Sequence, residues 1–153
     1  MSYNEKNLMK GESLLYLSKL HWIIFLLPVV WFIFAIFLLN NGNADKVGDL
    51  FILIAIVTGI TTFINFKTSE FGITNKRVIV KVGFIRRNSL EILLDKVEGI
   101  QVNQTILGRI LGFGSITVSG TGGTKNPFHL IDKPLEFRMK LQEQIAAVQD
   151  KKN

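Results

Sequence analysis

Residues Glu91 to Gly123 read EILLDKVEGIQVNQTILGRILGFGSITVSGTGG, and their periodicity decides the fold class. From Ser89 to Leu94, the residues Leu90, Ile92 and Leu94 fall on one face of an extended chain. Ile100 and Val102 do the same between Glu98 and Asn103, as do Ile116 and Val118 in SITVS. A period of two marks strands with one buried face. Between them TILGRIL, Thr105 to Leu111, reads as one or two helical turns stopped by Gly112. Short strands separated by turns at this spacing predict an antiparallel sandwich or barrel.

The pattern extends on both sides. Upstream, Val78, Val80 and Val82 alternate with Arg77, Ile79 and Lys81, and Gly83 turns the chain. Downstream, PFHLI places Phe128 and Leu130 on one face and His129 on the other. From Pro134 the period becomes helical: Phe137, Leu141, Ile145 and Val148 form one stripe, with Arg138, Lys140, Gln142, Glu143 and Gln149 facing away. Proline suits a first helical turn, and such a stripe needs an apolar surface, which an open barrel end would supply.

The glycine-rich stretch SGTGGTKNPF, Ser119 to Phe128, resembles a phosphate-cradling loop in composition alone. That chemistry needs a lysine followed by a hydroxyl and a strand-to-helix transition. Here Lys125 precedes Asn126, and Pro127 and a strand follow, so the stretch predicts a hairpin connection.

Before this domain the chain is of another kind. Leu20 to Leu39, LHWIIFLLPVVWFIFAIFLL, carries no charge over about 30 Å of helix, one hydrocarbon thickness. Leu50 to Phe66, LFILIAIVTGITTFINF, is a second uncharged run, joined to the first by the short polar NNGNADKVGD. The pair predicts a two-helix transmembrane hairpin, with Trp22 at one interface and Pro28 as a tolerated kink. The hydroxyls of Ser18, Thr58, Thr61 and Thr62 are expected to bond their own helix, and His21 and Asn65 to sit near the interfaces, so no polar seam is predicted. Gly59 is read as having no partner four residues away, so no small-residue pairing motif is expected.

Of the 153 residues 48% are apolar and none is cysteine, which excludes disulfides, thiolate metal sites and a cysteine nucleophile. The net charge is +6, and the residues from Lys67 onward carry fourteen basic and eight acidic side chains, so the basic character belongs to the C-terminal domain. Lys10 and Lys19 precede the hairpin, and Lys67, Lys76, Arg77, Lys81, Arg86 and Arg87 follow it, against Lys46 alone in the connection. The positive-inside rule then places both termini in the cytoplasm of a multi-pass protein of the inner membrane. The boundaries read as a cytoplasmic segment at 1–19, the hairpin at 20–66 and the domain at 67–150.

"ITNKRVIVKVG", the central stretch quoted first, and "PLEFRMKLQEQI" together resemble the bacterial pleckstrin-homology-like membrane protein family over roughly residues 68 to 148. The resemblance implies a bent seven-stranded antiparallel barrel capped by the C-terminal helix, and implies little about chemistry. Eukaryotic pleckstrin-homology domains that bind phosphoinositides carry basic residues on a long loop between the first two strands. Here Thr74-Asn75-Lys76 is short, so only diffuse attraction to anionic lipid is expected.

Lys76, Arg77, Lys81, Arg86 and Arg87 are the candidate lipid or anion contacts, each contributing about 1 kcal/mol beside an acidic leaflet. Asp95, Lys96 and Glu98 predict a solvated turn, Arg109 a structural cation, and His129 lacks companions for a metal or a nucleophile–base pair. No catalytic residue, cofactor or metal is predicted. The expected function is a membrane-anchored binding or scaffold module engaging membrane lipid, membrane proteins or its own copies, and no nucleic acid. The alternative is a subunit of an oligomeric pore or transporter regulated by the domain; the lack of charge in either span weighs against it.

Overall fold

A computed structural model describes residues 8–40, 45–83, 88–121 and 125–150. The chain divides into two compact units, Trp22–Thr68 and the flanking Met1–His21 with Ser69–Asn153.

The first unit is a pair of helices. A 3-10 turn, Trp22–Phe25, leads into α1 (Leu26–Asn40), and α2 spans Asp45–Thr68. Trp22–Asn40, the 3-10 turn with α1, and Lys46–Thr68 of α2 are each long and apolar enough to cross a membrane, and only 11% of each apolar window is buried in the protein, unlike a core helix. Pro28 falls in the first turn of α1, where its missing N–H is not needed. The helices meet through small residues: Ala35 and Ala55 are buried, and a Cβ on Gly48 would lie 2.5 Å from Leu39 Cδ2. Gly59 faces Pro28, so the contact surface on α2 uses positions 48, 55 and 59, and Ala55 and Gly59 form a small-residue pair four positions apart where the sequence reading expected none. Phe51 stacks on Trp31 at 5.5 Å and meets Phe34 edge-on at 5.0 Å. Thr58 and Thr61 behave as expected, Thr58 Oγ1 donating to the Ile54 carbonyl at 2.7 Å and Thr61 Oγ1 to that of Val57 at 3.0 Å, whereas Ser18 is not helical and its Oγ donates to the Asp132 carbonyl at 2.8 Å.

The second unit has two antiparallel sheets. Sheet A runs β1 (Leu14–Lys19), β2 (Glu70–Thr74), β3 (Arg77–Val82) and β4 (Asn88–Leu93). Sheet B runs β5 (Val97–Asn103), β6 (Phe113–Gly120) and β7 (Lys125–Asp132). The short helix α3 (Ile106–Leu111) links β5 to β6, and α4 (Pro134–Asp150) closes the chain. Phe71, Ile73, Val78, Val80, Leu94, Ile116, Val118 and Ile131 meet in the core, and Phe137 and Leu141 of α4 reach into it as their spacing required.

Three features depart from the sequence reading. The segment set apart as 1–19 contributes β1, whose residues Leu17, Ser18 and Lys19 pair with Gly72, Phe71 and Glu70. The apolar hairpin is therefore an insertion between the first two strands, and the Asn75–Lys76 turn joins the second and third. Next, both faces of β3 are buried, including Arg77 and Lys81, where alternation had placed one face in solvent. Lastly, Leu130 takes φ 58 and forms a bulge in β7, so that Phe128 and Ile131, not Phe128 and Leu130, point inward. The bulge aims the Leu130 carbonyl at His21 N–H, 2.7 Å away, beside an isolated bridge between Leu20 and Ile131 that joins the sheets at this corner.

Candidate functional site

Among the described residues, the basic candidates Lys76, Arg77 and Lys81 do not gather into one surface. Lys76 and Arg77 lie at the β2–β3 turn, whereas Lys81 sits near the opposite end of the sheet, in register with Glu70 and Ser89. Five residues of strand at about 3.4 Å each separate these ends by roughly 17 Å, more than a Debye length of about 10 Å. The chain leaves for the hairpin and returns from it at the Lys19–Glu70 end, so Lys76 and Arg77 lie at the far end. Lys81 is buried, and Arg86 and Arg87 lie outside the described residues.

Arg77 is turned inward. Its Nε donates to Glu12 Oε1 at 2.9 Å, its Nη2 to Glu12 Oε2 at 3.1 Å, and its Nη1 to Glu91 Oε2. Glu12 also accepts from Met9 N–H at 2.7 Å and Thr74 Oγ1 at 2.8 Å. Burial pushes the Glu12 carboxyl up, but these hydrogen bonds and the Arg77 charge outweigh it and hold it below the ordinary 4.5. Bonding to Glu12 raises Arg77 against the opposing effect of its burial. Asn75 Oδ1 accepts from Ser13 N–H at 3.0 Å, and Lys76 Nζ donates to the Lys10 carbonyl at 2.8 Å. The cluster thus straps the chain before β1 across the β2–β3 turn, a structural role.

The other candidates are peripheral. Asp95 and Lys96 occupy an exposed 3-10 turn, Leu94–Lys96, whose last carbonyl accepts from Thr121 N–H at 3.0 Å. His129 is exposed, and among the described residues no three His, Asp or Glu side chains form a metal cluster. The glycine-rich stretch joins β6 to β7 as an antiparallel connection, with Ser119 opposite Lys125, as its sequence predicted. A Cβ on Gly120 would lie 3.3 Å from Ile92 and from the Lys96 carbonyl, so this glycine serves close packing.

Two surfaces escaped the sequence reading. A groove of about 310 Å³ runs between β5, an edge of sheet B, and α4, lined by Val97, Glu98, Gly99, Ile100, Ile145 and Ala146 among others. Ile145 was legible as part of the helix stripe; that the stripe outruns its cover was not. The second surface is α3. Thr105 caps it, its Oγ1 accepting from Gly108 N–H at 3.1 Å, and Gly112 ends it at φ 84. Ile106, Leu107 and Ile110 are exposed at 80%, 65% and 75%, while Gly108 is the residue turned toward the protein.

A sequence model of the bacterial PH domain matches residues 22–147, which takes in the helical pair and every strand after β1. No curated protein matches the chain. With seven antiparallel strands in two sheets, a closing helix and that match across most of its length, the chain belongs to the bacterial PH domain family.

Proposed function

We propose that this chain is a membrane-anchored scaffold: the helical pair spans the inner membrane of a bacterium, and the pleckstrin-homology-like domain, a partly open barrel, faces the cytoplasm and gathers partners there. The observation that carries the reading is the insertion of two largely unburied apolar helices between β1 and β2. An apolar surface of that size needs lipid around it. Because the domain's strands flank the insertion on both sides, the domain is held at the bilayer by two covalent connections. Tethering of this kind raises its effective concentration toward other proteins of the same membrane, including its own copies.

Anionic lipid is a supporting contact in this reading. Of the basic residues the sequence offered for it, Lys76 is exposed, Arg77 and Lys81 are buried, and Arg86 and Arg87 lie outside the described residues. The spans act as an anchor, since the hydroxyls of Thr58 and Thr61 are taken up by their own helix.

Crosslinking in native membranes, followed by identification of the adducts, tests this function. Reproducible protein adducts, to other membrane proteins or to the chain itself, are expected. Capture of lipid alone would reject the scaffold.

A further inference from the structure

The short helix α3 is amphipathic in the wrong sense for a soluble domain. Its apolar residues Ile106, Leu107, Ile110 and Leu111 follow the spacing that elsewhere marks a core face. Yet all four are exposed, and the side turned to the protein is Gly108, where a Cβ would come within 2.5 Å of the Phe113 carbonyl oxygen. The glycine lets the helix lie flat on β6 with its stripe outward.

The stripe also has a definite place in the domain. Gly112, which ends α3, accepts from Lys133 N–H at 2.9 Å, and Phe113 pairs with Asp132 at the end of β7. The Phe113 ring lies 5.4 Å from that of His21, the last residue before the chain enters the apolar hairpin. So α3 stands at the corner of the domain from which the chain departs for the spans. Arg109, exposed in the middle of the helix, has a stem long enough to follow the apolar surface while its guanidinium stays with headgroups. Among the described residues no carboxylate lies in ion-pair range of it.

The geometry points to α3 as a membrane-interface wedge: Ile106, Leu107 and Ile110 enter the headgroup and upper acyl region of the bilayer, and Arg109 contacts anionic lipid phosphate. This rests on the membrane-anchor reading above. It adds a third attachment to the two covalent ones.

Nitroxide quenching tests it on the full chain in vesicles of phosphatidylethanolamine and phosphatidylglycerol. The chain has no cysteine, so single environment-sensitive probes are placed by Leu107→Cys, Leu53→Cys and Gln101→Cys. A probe at Leu107→Cys is expected to be quenched about threefold more than one at Gln101→Cys by a nitroxide close to the headgroups, as a depth of about 5–10 Å requires. The probe at Leu53→Cys, within α2, should respond most to a nitroxide near the acyl chain ends. Adding Ile106→Asp to a probe at Ile110→Cys should abolish quenching there. If Leu53→Cys is quenched but Leu107→Cys is as open to aqueous iodide as Gln101→Cys, the wedge is overturned and the anchor stands. If Leu53→Cys escapes every lipid nitroxide, the anchor itself falls and the wedge with it. Shielding of Leu107→Cys from both quenchers, with disulfide-linked dimers, would assign the stripe to a second copy and overturn the wedge.

Discussion

Arg77 and Glu12 stand 65 residues apart in the chain and share two hydrogen bonds. Such a pair is worth most when one partner is removed, because the survivor is left charged and buried. Glu12→Gln or Arg77→Met is expected to destabilise the domain by about 3–5 kcal/mol in denaturant unfolding of the detergent-solubilised chain. Glu91→Gln should change it by less than about 1 kcal/mol, since the Glu91 side chain is half exposed. The pH dependence has a definite sign. The Glu12 carboxyl is held below 4.5 when folded, so its contribution is present above about pH 4.5 and is lost as pH falls through the folded value. Glu12→Gln should therefore flatten the acid limb of a stability-against-pH curve. Gly108→Ala is expected to destabilise by about 1–3 kcal/mol, because the carbonyl it would strike belongs to backbone. At this scale the sequence was least legible: a basic residue in a strand looks alike whether it faces water or a carboxylate from a distant segment.

Among the elements, α4 shows what periodicity can and cannot convey. Phe137 and Leu141 are buried as their spacing required, whereas Ile145 and Val148 are only partly covered, because the helix runs past the sheets that hold its first turns. Phe137→Ala should lower stability by about 3–5 kcal/mol in the same unfolding measurement, and exposed Leu135→Ala by far less. In the helical pair, Ala55→Leu is expected to separate α1 from α2, seen as lost crosslinking between cysteines placed across their contact. The strand β1 was hidden from the pattern because Leu14, Leu15, Tyr16 and Leu17 show no alternation and run directly into the apolar span. Its identity comes from pairing with β2. Deleting residues 1–21 should strip amide-exchange protection from Phe71 and Ile73, by leaving β2 as an unpaired edge.

For the whole molecule, the proposed orientation makes a direct demand. With cysteines introduced singly, Asn43→Cys should react with an impermeant maleimide on intact cells, and Asn126→Cys only after lysis; labelling of Asn126→Cys from outside would reverse the topology. The hairpin inserted within the domain couples the two units covalently at one corner. In the chain, β1 and β2 are the strands nearest the two ends of the helical pair.

By itself the sequence determined the two apolar helices, the strand-rich domain, its closing helix and the family. Each of these is a local signal: a hydrocarbon-length run, a period of two, or a period of 3.6. Only the tertiary structure decided that β1 belongs to the domain, that Arg77 is consumed by Glu12, and that the stripe of α3 faces outward. These depend on which distant segment lies against a residue, and a strand or helix carries the same local pattern whatever covers it.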